Sequence, residues 1–191
     1  MIPKEWKPRR IRLPEPSNDY SIVLITGDKL RHQRFAYRVE KEFPDLVLAW
    51  YQVESTPTLR NTESPKGKLL IRNLIYTYLQ RRIRKQVSCE KRLFEQEVID
   101  LARDTKLEPV LVKNPDSREF IECIRKLSPY FLLSHGGPLY KKDLLESVRG
   151  VAINQHAGWS PTYKGTGTTR WPLYHRNLDY LGSTVHITTT S

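Results

Sequence analysis

Long apolar runs are missing from this chain. No stretch of its 191 residues approaches the roughly 20 consecutive apolar residues that a bilayer-crossing helix needs. The opening MIPKEWKPRRIR has no apolar segment behind its charges, so it does not read as a secretory signal. Cysteine is scarce: Cys89 and Cys123 make neither a disulfide framework nor a metal spacing, and no His/Cys cluster suits zinc. The reading is a reduced, cytoplasmic protein that holds no metal. Nucleotide fingerprints are absent as well. The first strand–helix turn, ITGDKLRHQRF, carries neither G-x-G-x-x-G nor a P-loop, and no G-x-S-x-G elbow occurs. There is no internal repeat. An apolar content of 38% is too high for a disordered chain, and the length suits one domain with a sizeable core.

Charge is present in excess, and it is local. The net is +11. Residues 1–12 hold a net of +4 and residues 66–92 a net of +8, which leaves −1 over the other 152 residues. The body of the domain is therefore close to neutral. That argues against a whole surface built for nucleic acid. A basic helix that meets RNA, an anionic surface or an acidic partner stays open, and a solvated face is the plainer reading of its 81–92 stretch.

Proline at 3, 8, 14 and 16 makes residues 1–18 an extended arm, with the domain running 19–191. Ile22 to Ile25 is a short apolar run that suits a parallel strand buried on both faces. The spacing predicts a helix over 28–43, with Leu30, Phe35, Val39 and Phe43 inward, stopped by Pro44. Leu46 to Trp50 is a second strand, and the polar, proline-punctuated 54–66 a loop. From Lys68 to Asp104 the pattern is helical, as one long bent helix or a hairpin. Ile71, Leu74, Ile75 and Tyr78 form an apolar stripe that Phe94, Val98 and Leu101 resume. Val110 to Val112 is a third strand. Asn114 to Ser117 offers a helix start, with Phe120, Ile121, Ile124 and Leu127 on one face. Tyr130–Leu133 and Val151–Ile153 are further strands around a short helix at 140–147. A glycine-rich loop at 155–167, a helix near 168–177 and a strand at 183–189 follow.

Strands alternating with helices predict an α/β fold: a parallel, Rossmann-like sheet with helices on both faces and the basic helix inserted at 68–104. Ligands bind such sheets beyond the carboxyl ends of the strands. Thr26-Gly27, Ser134-His135-Gly136-Gly137 and Asn154-Gln155-His156 all fall there. Asn154 and His156, on alternate positions of one strand end, share a face and can both donate to an oxygen that gains negative charge. His32 and His175 read as surface residues and His186 as core. His135 either lines the site or bonds only backbone.

The run Val151 to Gly165 (VAINQHAGWSPTYKG) resembles the folate-dependent formyltransferases, whose hallmark is Asn-x-His followed by a small or apolar loop, Pro, an aromatic, a basic residue and Gly. Gly182 to His186 resembles that family's next strand, and Pro129 to Leu145 its folate-binding strand and loop. The resemblance is close over about 107–191 and loose over 20–50, while 68–104 lies outside the minimal core. It implies transfer of a formyl group from N10-formyltetrahydrofolate to a primary amine. Asn154 and His156 would be catalytic. Gly136, Gly137, Pro138, Leu139, Tyr140 and Lys141 would hold the folate. Trp159, Tyr163, Lys164 and Arg170 would meet the acceptor. The family's catalytic Asp would fall just beyond Ser191, so the resemblance implies a chain cut short of it and weak or dead in catalysis. TGDKLR lacks the phosphate loop of the glycinamide ribonucleotide enzymes. An amino-sugar nucleotide is the acceptor reached by elimination. A methionyl-tRNA formyltransferase-like enzyme is the alternative, as is a non-catalytic module binding RNA or an anionic surface. A homodimer is one arrangement the sequence leaves open.

Overall fold

The computed structural model describes residues 19–54, 69–165 and 167–189. The proline-rich arm at 1–18 and most of the 54–66 loop lie outside the described residues. Six strands form one sheet: β1 (Ile22–Thr26), β2 (Val47–Val53), β3 (Pro109–Val112), β4 (Phe131–His135), β5 (Val151–His156) and β6 (Thr184–Ile187). Their order is β3-β2-β1-β4-β5-β6. The expected parallel sheet holds through β5; β6 then turns back antiparallel, with Asn154 opposite His186 and His156 opposite Thr184.

Successive strand residues point to opposite faces, and the core divides accordingly. Ile22 and Leu24 pack with Trp50, Phe131 and Leu133 beneath Ala36 of α1 (Leu30–Glu42). Val23 and Ile25 pack with Leu132 and Ala152 beneath Phe120, Ile121 and Ile124 of α3 (Arg118–Leu127) and Leu144 of α4 (Lys142–Leu145). Each fully buried Leu or Ile contributes about 1.5–3 kcal/mol relative to exposure. Both faces are thus dry, which is why β1 reads as an unbroken apolar run. The predicted start of α3 is also formed. Ser117 Oγ accepts from Phe120 N at 3.3 Å, and Asn114 Oδ1 accepts from Asp116 N at 3.0 Å.

The basic insertion is a single helix, α2 (Leu69–Asp104), of 36 residues and about 54 Å. Phe94, Val98 and Leu101 turn inward as expected, whereas Tyr78 is 58% exposed; the side chains of Ile71, Leu74 and Ile75, expected in one stripe with it, lie outside the described residues. The long helix lies along α1, tied by Arg31 to Glu90, and by Arg34 Nε at 2.7 Å and Arg38 Nε at 2.9 Å to Glu97. Hydrogen bonds from Arg34 and Arg38 hold the Glu97 carboxyl below its usual range.

The helix α1 corrects two expectations. Phe43, expected inward, is 49% exposed at the helix end, and His32, expected on the surface, is only 4% exposed. The apolar count along α1 favours a stripe through Phe43. The His32 ring fills a slot between two glycines at the strand ends. A Cβ on Gly27 or on Gly136 (φ +71°) would overlap the His32 imidazole. The last elements are α5 (Arg170–Tyr174) and a 3-10 turn at Leu178–Tyr180.

Candidate active site

Asn154 and His156 leave β5 on the same side as Ala152, at the carboxyl end of the sheet. The carboxamide of Asn154 is held at both ends. Its Oδ1 accepts from Ser134 Oγ on β4 at 3.0 Å, and its Nδ2 lies 3.3 Å from His186 Nε2 on β6. His186 Nδ1 is 3.1 Å from the Ile187 carbonyl. A carbonyl only accepts, so His186 carries its proton on Nδ1 and presents a lone pair at Nε2. That lone pair accepts one N–H of Asn154. The second N–H of Asn154 makes no hydrogen bond among the described residues. His156 Nε2 is buried and likewise without a partner, its ring 6.4 Å from that of His186.

These groups open onto a cavity of about 420 Å³. Its lining also includes His135, His32, Lys29 and Arg31 near the start of α1, Gln86 of α2, and Arg170 with Gly165, Gly167, Thr168 and Thr169. His135 Nδ1 is 2.9 Å from the Gln155 carbonyl, so it too donates from Nδ1 and leaves Nε2 as an acceptor. Burial lowers the His135 pKa. The His32 ring meets His135 edge-on at 4.8 Å. Burial, and after it the charge of Arg31, pushes the His32 pKa down to about 3, so it is neutral at physiological pH. None of the described residues lining the cavity is a carboxylate. A second cleft of about 350 Å³ lies on the other side of Gly136 and Gly137, with Pro138, Glu54, Lys113 and Asp116 in its walls.

No family model matches the chain. Two curated methionyl-tRNA formyltransferases do match over a short stretch. The one from Clostridium tetani is 36% identical over 59 residues, 30% of this chain and 19% of the relative. The one from Ruminiclostridium cellulolyticum is 34% identical over 68 residues, 35% of this chain and 21% of the relative. The matched stretches thus span about a fifth of the length of these relatives. Among solved structures, glycinamide ribonucleotide transformylase 1 from Symbiobacterium toebii superposes with a TM-score of 0.53 at 12% identity, covering 92% of this chain and 69% of that one. The chain has the fold of the folate-dependent formyltransferases. The resemblance read from Val151 to Gly165 is borne out at that level.

Within this formyltransferase fold the sequence-derived residues separate into groups. Asn154, His156, Gly136, Gly137 and Arg170 come together at the main cavity, with Pro138 in the second cleft. Leu139 is 96% exposed beside them. Tyr140 packs against the α3-side core, where burial raises its pKa. Lys141 contributes backbone: its N–H donates to Asp116 Oδ1 at 2.9 Å and fastens the 136–141 loop to the start of α3. Trp159, Tyr163 and Lys164, expected to meet the acceptor, lie outside the cavity. Trp159 packs edge-on against Tyr180 at 6.0 Å, and Tyr163 is buried with its hydroxyl 3.1 Å from His175 Nδ1. Their loop folds on itself, drawn to β6 by Thr184 Oγ1, which donates to Gly158 O at 2.7 Å and accepts from Ser160 N at 3.0 Å. His186, expected in the core, is half-buried beside Asn154. The signal for it was available in the residues: a polar side chain on the strand that follows Asn-x-His meets Asn154 once the two strands pair antiparallel.

Proposed function

We propose that this chain transfers a formyl group from N10-formyltetrahydrofolate to a primary amine held in the main cavity. When bound, the folate supplies a formyl carbon activated by its attachment to N10: the amine nitrogen bonds to that carbon, the carbon–N10 bond breaks, and the proton given up by the amine ends on N10 of the departing tetrahydrofolate. Asn154 donates its free N–H to the formyl oxygen as that oxygen gains negative charge. His156 donates from Nε2 to the same oxygen when that nitrogen carries the proton. His186 and Ser134 keep the carboxamide from turning over, so the free N–H needs no reorganisation during the reaction. The loop from Gly136 to Lys141 offers backbone polar groups and the exposed Leu139 to a flat pterin. The observation that carries this reading is the spare second N–H of Asn154 Nδ2 next to the unpartnered His156 Nε2, beside one cavity at the strand ends.

The acceptor we favour is an amino-sugar nucleotide, whose phosphates suit a cavity lined by Lys29, Arg31 and Arg170 and, among the described residues, by no carboxylate. A charged tRNA is the second reading, favoured by the curated relatives and by the exposed cations of α2. The setting we propose is cytoplasmic, from the sparse cysteines; among the described residues no helix is long and apolar enough to cross a membrane. The test is binding of 5-formyltetrahydrofolate, followed by formylation assays with 3- and 4-amino-sugar nucleotides and with charged tRNA. Folate binding that disappears when the 136–141 loop is replaced supports the reading. No folate binding, and no formylation of any amine, would end it.

A further inference from the structure

The inserted helix α2 does more than lie along α1. Near its middle, Gln86 reaches the main cavity. Its amide is oriented by its own helix: Nε2 donates to Glu90 Oε1 at 3.1 Å, one turn on. That leaves Oε1 facing Arg170, whose Nη2 donates to it at 3.4 Å. Glu90 in turn pairs with Arg31 of α1. Arg31, Glu90, Gln86 and Arg170 thus form one chain of contacts across α1, α2 and α5, of which Arg31, Gln86 and Arg170 line the cavity and Glu90 does not.

The charges of this wall do not cancel. Arg31 has Glu90, but no carboxylate reaches Arg170 or Lys29 among the described residues. Arg170 is held by a single long bond to a neutral amide, which leaves the rest of its guanidinium fork open. A planar fork suits a phosphate, which accepts two parallel N–H bonds. Two uncompensated cations at the mouth of a cavity match a group bearing about two negative charges.

We propose that Gln86 and Arg170 are the acceptor-selecting pair: the α2 wall binds a phosphoryl group of the amine substrate and so sets the amine before Asn154 and His156. This rests on the formyl-transfer reading. It adds that specificity resides on an insertion outside the minimal core. A neutral amide beside the open guanidinium tolerates the incoming anion, and a carboxylate there would repel it and cap Arg170.

The test is calorimetric titration of the full chain with inorganic pyrophosphate, with 5-formyltetrahydrofolate titrated separately. Arg170→Ala should weaken pyrophosphate about tenfold, the loss of one charge-assisted contact. Gln86→Glu should weaken it more, and Gln86→Leu only a few-fold. All three should leave folate affinity and the melting temperature unchanged. Two phosphate sources are then compared, UDP and a short single-stranded RNA, each with an Arg81→Glu/Lys85→Glu variant on the exposed face of α2. Binding of either that depends on Arg170 supports the wall; loss of RNA alone in the α2 variant assigns it to a backbone longer than the cavity. Pyrophosphate that does not bind, or that binds Arg170→Ala and Gln86→Glu as tightly as the parent, overturns the proposal and leaves folate binding as the separate measure of the formyl-transfer reading.

Discussion

The two sides of the main cavity are built on different principles. The β5–β6 side is short-range and neutral. Ser134, Asn154, His186 and the Ile187 carbonyl pass hydrogen bonds along one direction, between adjacent strands, through part-buried atoms. The α1–α2–α5 side is long-range and charged. Arg31, Gln86, Glu90 and Arg170 come from three helices and meet through long, flexible side chains. Strand pairing holds a short amide to a few tenths of an ångström, as stabilising a growing charge demands. Long side chains on helices tolerate a range of ligand shapes, as acceptor choice demands. The first wall is suited to chemistry and the second to recognition.

That division can be broken by mutation. Asn154→Ala and His156→Ala should each lower kcat for formyl transfer by about two orders of magnitude, the usual cost of a lost oxyanion donor, with folate affinity retained. Radiolabelled formyl transfer under saturating substrate measures it. An effect confined to KM would move these residues to the recognition side.

His32 sits at the seam between the two sides. Burial holds its folded-state pKa near 3, below the ordinary histidine value of 6.5. The unfolded chain therefore takes up a proton first as pH falls. The stability that comes with a neutral His32 is complete above pH 6.5 and is lost progressively from there down to about pH 3, by at most about 1.4 kcal/mol per pH unit. Thermal melts across that window should slope less steeply for His32→Gln than for the parent. Equal slopes would show that the imidazole is not held neutral.

Gly136→Ala should destabilise the fold by about 2 kcal/mol, because the new Cβ meets the His32 ring and the backbone is in the left-handed region. Adding His32→Ala should return part of that loss, and a denaturant double-mutant cycle reads the coupling. Purely additive effects would mean that the ring does not bridge the seam.

The smallest expected effect falls on His186. His186→Phe removes the acceptor for one Asn154 N–H and should lower kcat about tenfold, the cost of one unsatisfied polar contact. KM should not move, and His186→Gln should restore part of the rate. A change in KM alone would place His186 with recognition.

On the β5 side the Asn154–His156 pair is legible in the sequence, whereas the role of His186 emerges only when β6 pairs with β5. Asn154 and His156 share a face by the two-residue strand period alone. The buried runs at β1, β2 and β4 announced the sheet, and Ser117 announced the start of α3. The readings that failed did so where distance along the chain was large. His32 was taken for a surface residue because nothing local shows the slot between Gly27 and Gly136, which are 109 residues apart. Trp159 and Tyr163, which the resemblance assigns to the acceptor, instead pack against Tyr180 and His175, contacts that no local pattern shows, and Lys164 beside them is exposed. Gln86 gave no sign at all, sitting in a basic helical stretch whose plain reading was a solvated face.

The amino-acid order by itself determined the layers, the strand ends where the cavity opens and the amide and imidazole that line it, because hydrophobic period and strand alternation are local properties. Only the tertiary structure decided which way β6 runs, which ring fills the glycine slot and which helix closes the cavity. Those choices depend on contacts between residues far apart in the chain, whose free energy has no counterpart in any local pattern.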